Sequence, residues 1–427
     1  MRTKIFIIAG ALFLTLAVSA QKTLTLQQCV DTALTNNRNV KQQALTRKTK
    51  EIAYQQARQN LLPNLNASAN QNWNFGSSVD KFLNPKNSTT LGISAQLTLF
   101  NGLKMKYSID AKKVDMYASD ADLEKMKQDI TMSVASGFLQ ILLNKELLQI
   151  ATDQLELTKT KIEQRKGLVA SGKMAEGEMF ELLAQAAKED QSRIQAENTL
   201  KLSLLDLAQI LELDHFENLD IVAPDNLSES DLHLLSADDV FLSALTHRPE
   251  IKGAEYRLKS SENNVLINKA DFYPILTLGA QSGTGYYNIL GAKSFGQQFS
   301  DNFSSVVGLS MSIPIFNRFD VRNRVRTAQI GVQSSKLSVD NAKLELKKTI
   351  QQAYYNALGA KSRWDAANKS EIASREAYRF ANQKFEAGKA TLYELYQAKS
   401  NLTQVLSEQS QAKFEYFFRI KLLELLK

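Results

Sequence analysis

Hydrophobic positions along this chain change period in a fixed order, and the order occurs twice. Residues about 27–61 and about 238–272 carry helical spacing, and Pro63 and Pro274 close them, because a residue before proline is pushed out of the helical region. Period-two segments follow. Leu65, Ala67, Ala69, Gln71, Trp73 and Phe75 share one face, and Asn and Ser mostly occupy the other. Leu91, Ile93, Ala95, Leu97 and Leu99 then alternate with Gly92, Ser94, Gln96 and Thr98. In the second half Leu276, Leu278 and Ala280 alternate, then Val307, Leu309, Met311, Ile313 and Ile315. Such alternation predicts strands at about 65–75, 91–100, 275–283 and 304–316; a transmembrane β-strand and a soluble strand with one wet face both show it.

Each strand pair gives way to a long helical stretch, about 103–166 and about 321–385. The first contains no proline and reaches on the order of 95 Å. Its apolar residues recur every seven positions at Ile109, Met116, Leu123 and Ile130, shift to Ile141, and resume at Leu148, Leu155 and Ile162. A seven-residue repeat predicts left-handed supercoiling that the longer step locally unwinds. The second stretch repeats the pattern at Val325, Val332, Val339 and Leu346. Glycine-containing turns at 167–172 and 384–389 lead into return helices at about 174–212 and 390–426.

The two halves are related by sequence. An offset of 211 matches Ala33-Leu34-Thr35 with Ala244-Leu245-Thr246, and Pro63 with Pro274. It becomes 216 for Leu99-Phe100-Asn101 with Ile315-Phe316-Asn317, Gly172-Lys173 with Gly388-Lys389, and Glu178 with Glu394. The organisation read from this is a first repeat at 21–212, a linker at 213–236 with little regular structure around Pro224, and a second repeat at 237–427. Ahead of them, Arg2 and Lys4 precede an apolar run from Ile5 to Val18, and Val18-Ser19-Ala20 fits a cleavage site. Residues 1–20 read as a signal peptide, too short to span a bilayer comfortably.

Composition removes several functions. The net charge of +7 comes from Lys and Arg dispersed among Asp and Glu, as on solvated helix faces, so nucleic acid is not an expected partner. One cysteine, Cys29, excludes a disulfide framework and reads as a half-buried helix residue. His215, His233 and His247 show no metal-ligand spacing, and no glycine-rich phosphate loop follows a strand. Neither an enzyme nor a cofactor is expected.

Four amphipathic strands cannot span a bilayer alone, because open edges leave backbone groups unpaired in hydrocarbon. Long helices with a narrow apolar seam likewise need lateral neighbours. Side-by-side copies meet both needs; a periplasmic structural coiled-coil protein with no pore is the alternative. The duplicated order, the prolines at 63 and 274, the segments Leu97-Thr98-Leu99-Phe100-Asn101-Gly102 and Ile313-Pro314-Ile315-Phe316-Asn317, and the glycine turns before Glu178 and Glu394 together resemble TolC-like outer-membrane efflux proteins, over essentially the whole mature chain.

That resemblance implies a mainly α fold with β: helix, two strands and a long helical hairpin, duplicated. It implies a homotrimer whose strands, four per chain, form a 12-stranded barrel in outer-membrane lipid, continued by a periplasmic α-helical barrel. The chain is then an outer-membrane channel subunit of a tripartite efflux or type I export system, served by a periplasmic adaptor and an inner-membrane pump. The docking tips it implies are Gly167, Leu168, Val169, Ser171 and Gly172 in the first half, with Glu386, Ala387 and Gly388 in the second. The pore gate falls at Glu394 and Gln397, with Glu178 and Glu181 as first-half counterparts, each pair three apart on one helix face. The strand-joining loops 76–90 and 284–303 are expected at the cell exterior.

Overall fold

The computed structural model describes residues 22–75, 87–171, 175–213, 219–223, 234, 236–288 and 291–427. The expected signal segment 1–20, most of the loop 76–90, Gly172, His215, His233 and Pro224 lie outside the described residues.

In chain order the elements are β1 (Lys22–Leu24), α1 (Leu26–Asn36), α2 (Arg38–Gln59), β2 (Asn64–Trp73), β3 (Asn87–Asn101), α3 (Lys104–Ala170), α4 (Glu176–Leu211) and β4 (Leu219–Ile221). The second half continues with α5 (Ala237–His247), α6 (Pro249–Ala270), β5 (Ile275–Tyr287), α7 (Phe295–Asp301), β6 (Ser304–Ser312), α8 (Asp320–Glu386) and α9 (Leu392–Leu426).

Several boundaries correct the sequence reading. Each opening helix is two helices, broken at Asn37 and at Arg248, positions related by the same offset of 211. Both residues leave helical geometry, with ψ of 127° and 128°. Pro249 at the first position of α6 explains the second break. At the first, buried Asn37 caps α1 and its Nδ2 donates to Ile210 O at 3.2 Å. The linker is not wholly irregular: β4 pairs in parallel with β1 in register Lys22↔Leu219 and Leu24↔Ile221. Lys145 Nζ secures it by donating to Ile221 O at 2.9 Å and pairing with Asp220. The 284–303 loop holds the end of β5 and the helix α7. There Gln298 Nε2 donates to Tyr287 O at 3.1 Å and Lys293 O at 2.8 Å. β6 ends at Ser312 rather than 316, ahead of Pro314, which has no N–H to donate. Cys29 is fully buried rather than half-buried, and burial pushes its thiol up to about 11.

The chain forms two compact units, and neither coincides with a sequence half. One comprises Met1–Arg38, Gln128–Ala237 and Gln351–Lys427; the other comprises Asn39–Lys127 and Asp238–Ile350. Each therefore takes parallel pieces of both repeats.

In the second unit, β2, β3, β5 and β6 form one antiparallel sheet in that order. The register sets Ser68 beside Gly92, Gly92 beside Gly283, and Gly279 beside Gly308. One face therefore collects Leu65, Leu91, Ile93, Leu278, Val307, Leu309 and Met311, mostly exposed in the single chain. β2 and β6 are the sheet's two edges.

The junctions from strand to long helix are repeated in conformation. Gly102 and Leu103 both have φ of 66°, and Arg318 and Phe319 have φ of 53° and 63°. At 102 glycine is required twice over, since a Cβ would lie 2.6 Å from Ala270 O. Asp271 ties both junctions to the end of α6, accepting from Lys104 Nζ at 2.6 Å and Arg324 Nη1 at 2.7 Å. Burial raises its pKa, but those two cations outweigh the burial and hold the carboxyl below its ordinary value.

Among the described residues no helix is long and apolar enough to cross a membrane.

Candidate functional site at the helical tips

In the first unit the two hairpins share an apolar core near their turns. Ile162 of α3, Leu182 of α4, Phe385 of α8 and Leu392 and Leu395 of α9 are buried together, with Met179, Tyr378 and Tyr396 packed around them.

The second turn is fully specified by local chemistry. Gly388 has φ of +70°; its N–H donates to Phe385 O at 3.1 Å, and Lys389 N donates to Lys384 O at 2.8 Å. That is the Schellman arrangement, which satisfies carbonyls left open at the end of α8. A Cβ on Gly388 would meet nothing within 4 Å, so conformation alone selects glycine. Three residues on, Thr391 caps α9. Glu394 N donates to Thr391 Oγ1 at 3.3 Å, while Thr391 N donates to Glu394 Oε2 at 2.8 Å. This is a capping box, legible as Thr-x-x-Glu, and the sequence reading of Glu394 as a gate carboxylate overlooked it. Glu394 and Gln397 are both exposed.

The described residues flanking the first turn make no side-chain cap. Gly167, Leu168 and Val169 lie inside the last turn of α3 rather than in the turn itself, which corrects the expected start of that turn. Ser171 continues it, its N donating to Gly167 O at 3.1 Å. Ala175 occupies the cap position of α4 without a side-chain hydrogen bond. Glu176 and Glu178 in the first turn offset the exposed N–H groups there. Glu178 is half-buried and Glu181 exposed. At the other tip Glu386 accepts from Asn382 Nδ2 at 2.8 Å, Lys161 also donates to Asn382, and the Arg165 guanidinium lies 4.2 Å from the Phe385 ring centre.

Behind the turns lies a polar cluster that sequence reasoning missed. Lys399 of α9 donates to Gln154 O at 2.8 Å, Thr158 Oγ1 at 2.5 Å and Glu189 Oε1 at 2.8 Å. Its side chain is 5% exposed and that of Glu189 12%. Burial pulls the Lys399 pKa down against the pull of Glu189. Burial, and then Glu189 and Glu181, push the Tyr396 hydroxyl up. A signal existed: Leu392, Leu395, Lys399 and Leu402 follow three-four-three spacing, so a lysine sits in the apolar seam.

Among the described residues no group of three or more His, Cys, Asp or Glu could hold a metal. His247 is exposed at the end of α5, with Nδ1 2.7 Å from Thr246 Oγ1.

A model of the outer membrane efflux protein family matches residues 29–212 and 241–417. Among curated proteins, the chain is 26% identical over 318 residues to a probable outer membrane lipoprotein, SilC, of Salmonella typhimurium. That alignment takes in 71% of this chain and 64% of SilC, so the chain spans less than two thirds of that relative's length. It is 23% identical over 387 residues to toxin and drug export protein A of Aggregatibacter actinomycetemcomitans, covering 87% of this chain and 79% of that protein. The fold resembles the Campylobacter jejuni CmeC outer membrane channel with a TM-score of 0.79, at 17% identity over 94% of this chain and 85% of the other.

Proposed function

The chain belongs to the outer membrane efflux protein family, a group of outer-membrane channel proteins, and from that premise we propose that three copies assemble into one passive exit duct. The observation carrying this reading is the set of unpartnered surfaces that one chain leaves open. β2 and β6 pair on one side only. Leu45 and Ile52 on α2, and Ile330, Leu337 and Leu344 on α8, recur at seven-residue spacing and are each more than half exposed. Heptad seams and sheet edges both call for a neighbouring copy. Closure of three four-stranded sheets gives a 12-stranded barrel with the apolar face toward lipid and the polar face toward the lumen. The structural-protein alternative leaves that apolar sheet face in water.

In this reading the repeats 21–212 and 237–427, joined by 213–236, supply equivalent staves of the helical section. The turns near Gly167–Gly172 and Glu386–Gly388 dock a periplasmic adaptor, which links the duct to an inner-membrane pump. The chain itself does no chemistry. Glu394 and Gln397, with Glu178 and Glu181, line the narrowest part near the tips, where three-fold repetition of a carboxylate favours cations.

The mature chain in detergent should sediment as a trimer. Glu394→Gln should weaken cation selectivity and divalent-cation block while assembly and cap persist, since glutamine also serves in a capping box. A stable monomer in detergent contradicts the assembly. Unchanged selectivity and block would leave Glu394 with the capping role alone.

A further inference from the structure

The sheet that forms the barrel wall carries no charge. β2, β3, β5 and β6 are 10, 15, 13 and 9 residues long, and none of their residues is Asp, Glu, Lys or Arg, in a chain that is 23% charged. A lipid-facing surface must be uncharged, but a water-filled lumen need not be. The second face is polar all the same. Asn64, Asn66, Ser68, Asn70 and Asn72 lie on it in β2, and their registered neighbours on β3, β5 and β6 are mostly Thr, Ser, Gln and Gly. Ile275, Val306 and Tyr287 are its apolar exceptions.

The glycines show the same bias. Gly92, Gly279, Gly283, Gly285 and Gly308 all fall on the polar face by register. At 283 packing requires it, since a Cβ would lie 2.8 Å from Leu91 O. At 279 and 308 a Cβ would meet nothing closer than 4.0 Å, so neighbouring atoms do not exclude a side chain there. What a side chain at those positions would occupy is the lumen.

We infer that the barrel segment of this channel is a charge-neutral wall of amides, hydroxyls and bare backbone that passes cargo without sorting it by charge. The inference rests on the barrel reading above. The cargo it fits is molecules rich in hydroxyl or amide groups, whose uncharged polar surface can exchange hydrogen bonds with the wall. A fixed charge would attract one ion and repel its opposite over several ångströms; this wall does neither. Charge selection in the pathway is therefore confined to the parts outside the strands.

Cysteine labelling on whole cells tests this and separates it from the barrel reading. Gln281→Cys and Gln96→Cys place thiols on the polar face, and Ile93→Cys places one on the apolar face; native Cys29 is buried. Cationic and anionic methanethiosulfonate reagents of equal size are then compared. At Gln281→Cys and Gln96→Cys the ratio of their rates should match that for free cysteine within about threefold. A ratio displaced further in either direction overturns the inference. The added substitution Gln281→Glu beside Gln96→Cys should raise the cation-to-anion ratio beyond that limit, establishing that the probe senses one charge. Reaction at Ile93→Cys without reaction at Gln281→Cys would instead overturn the assignment of faces, and with it the barrel.

Discussion

The two return helices, α4 and α9, are nearly equal in length, hold equivalent places in the repeat, and behave differently. α9 buries thirteen residues along its 35 and α4 five along its 36. Phe180, Leu183, Ile194 and Leu202 of α4 remain exposed, whereas Tyr393 is the large exposed apolar residue of α9 among those described. α9 begins at a capping box after a Schellman turn, and α4 begins at uncapped Ala175. Duplication thus preserved the order of elements while the two copies diverged in duty. α9 is a core helix of its unit, and α4 keeps an apolar surface for something outside the single chain.

The sharpest way to break this contrast is to attack what holds α9. Lys399→Met leaves Glu189 buried without its cation and should destabilise the unit by about 3–5 kcal/mol in chemical denaturation. Adding Glu189→Leu removes the orphaned charge and should recover most of that loss. A single variant as stable as wild type would mean that the buried pair does not anchor α9.

The turns supply a smaller, opposed pair. Gly388→Ala forces a Cβ into the left-handed region and should lower stability by about 1 kcal/mol. Gly167→Ala, inside α3 with open space around it, should be neutral or stabilising by up to about 1 kcal/mol. Equal effects at the two glycines would erase the distinction between the tips.

The caps match that size at one tip and fall below it at the other. Thr391→Ala should cost about 1 kcal/mol, and Ala175→Ser should recover some tenths of that at the start of α4. Helical content followed through thermal unfolding reads both. A gain at 391, or a loss at 175, would contradict the capping geometry.

How much of this was legible beforehand follows the range of the signal. Heptads from Ile109 to Ile162, alternation from Leu91 to Leu99, and the stops at Pro63 and Pro274 each repeat over many residues, so the helices and strands emerge from periodicity alone. The breaks at Asn37 and Arg248 each rest on one or two residues inside a continuing apolar pattern, and period averaging passes over them. β4 is three residues long, too short to display alternation. The Glu189–Lys399 pair joins residues 210 apart in sequence; the lysine in the seam announced an anomaly, but not its partner. At the tips, the Thr391–Glu394 capping box is legible from local spacing alone, whereas a pore role for Glu394 rests on the family resemblance.

The central claim is that copies of this chain close into a conducting duct, and planar bilayer recording tests it most directly. Purified protein added to one side should produce discrete, uniform conductance steps from a species that sediments as a trimer in detergent. Protein that reconstitutes into the bilayer as a monodisperse population yet leaves the baseline current unchanged would contradict the account.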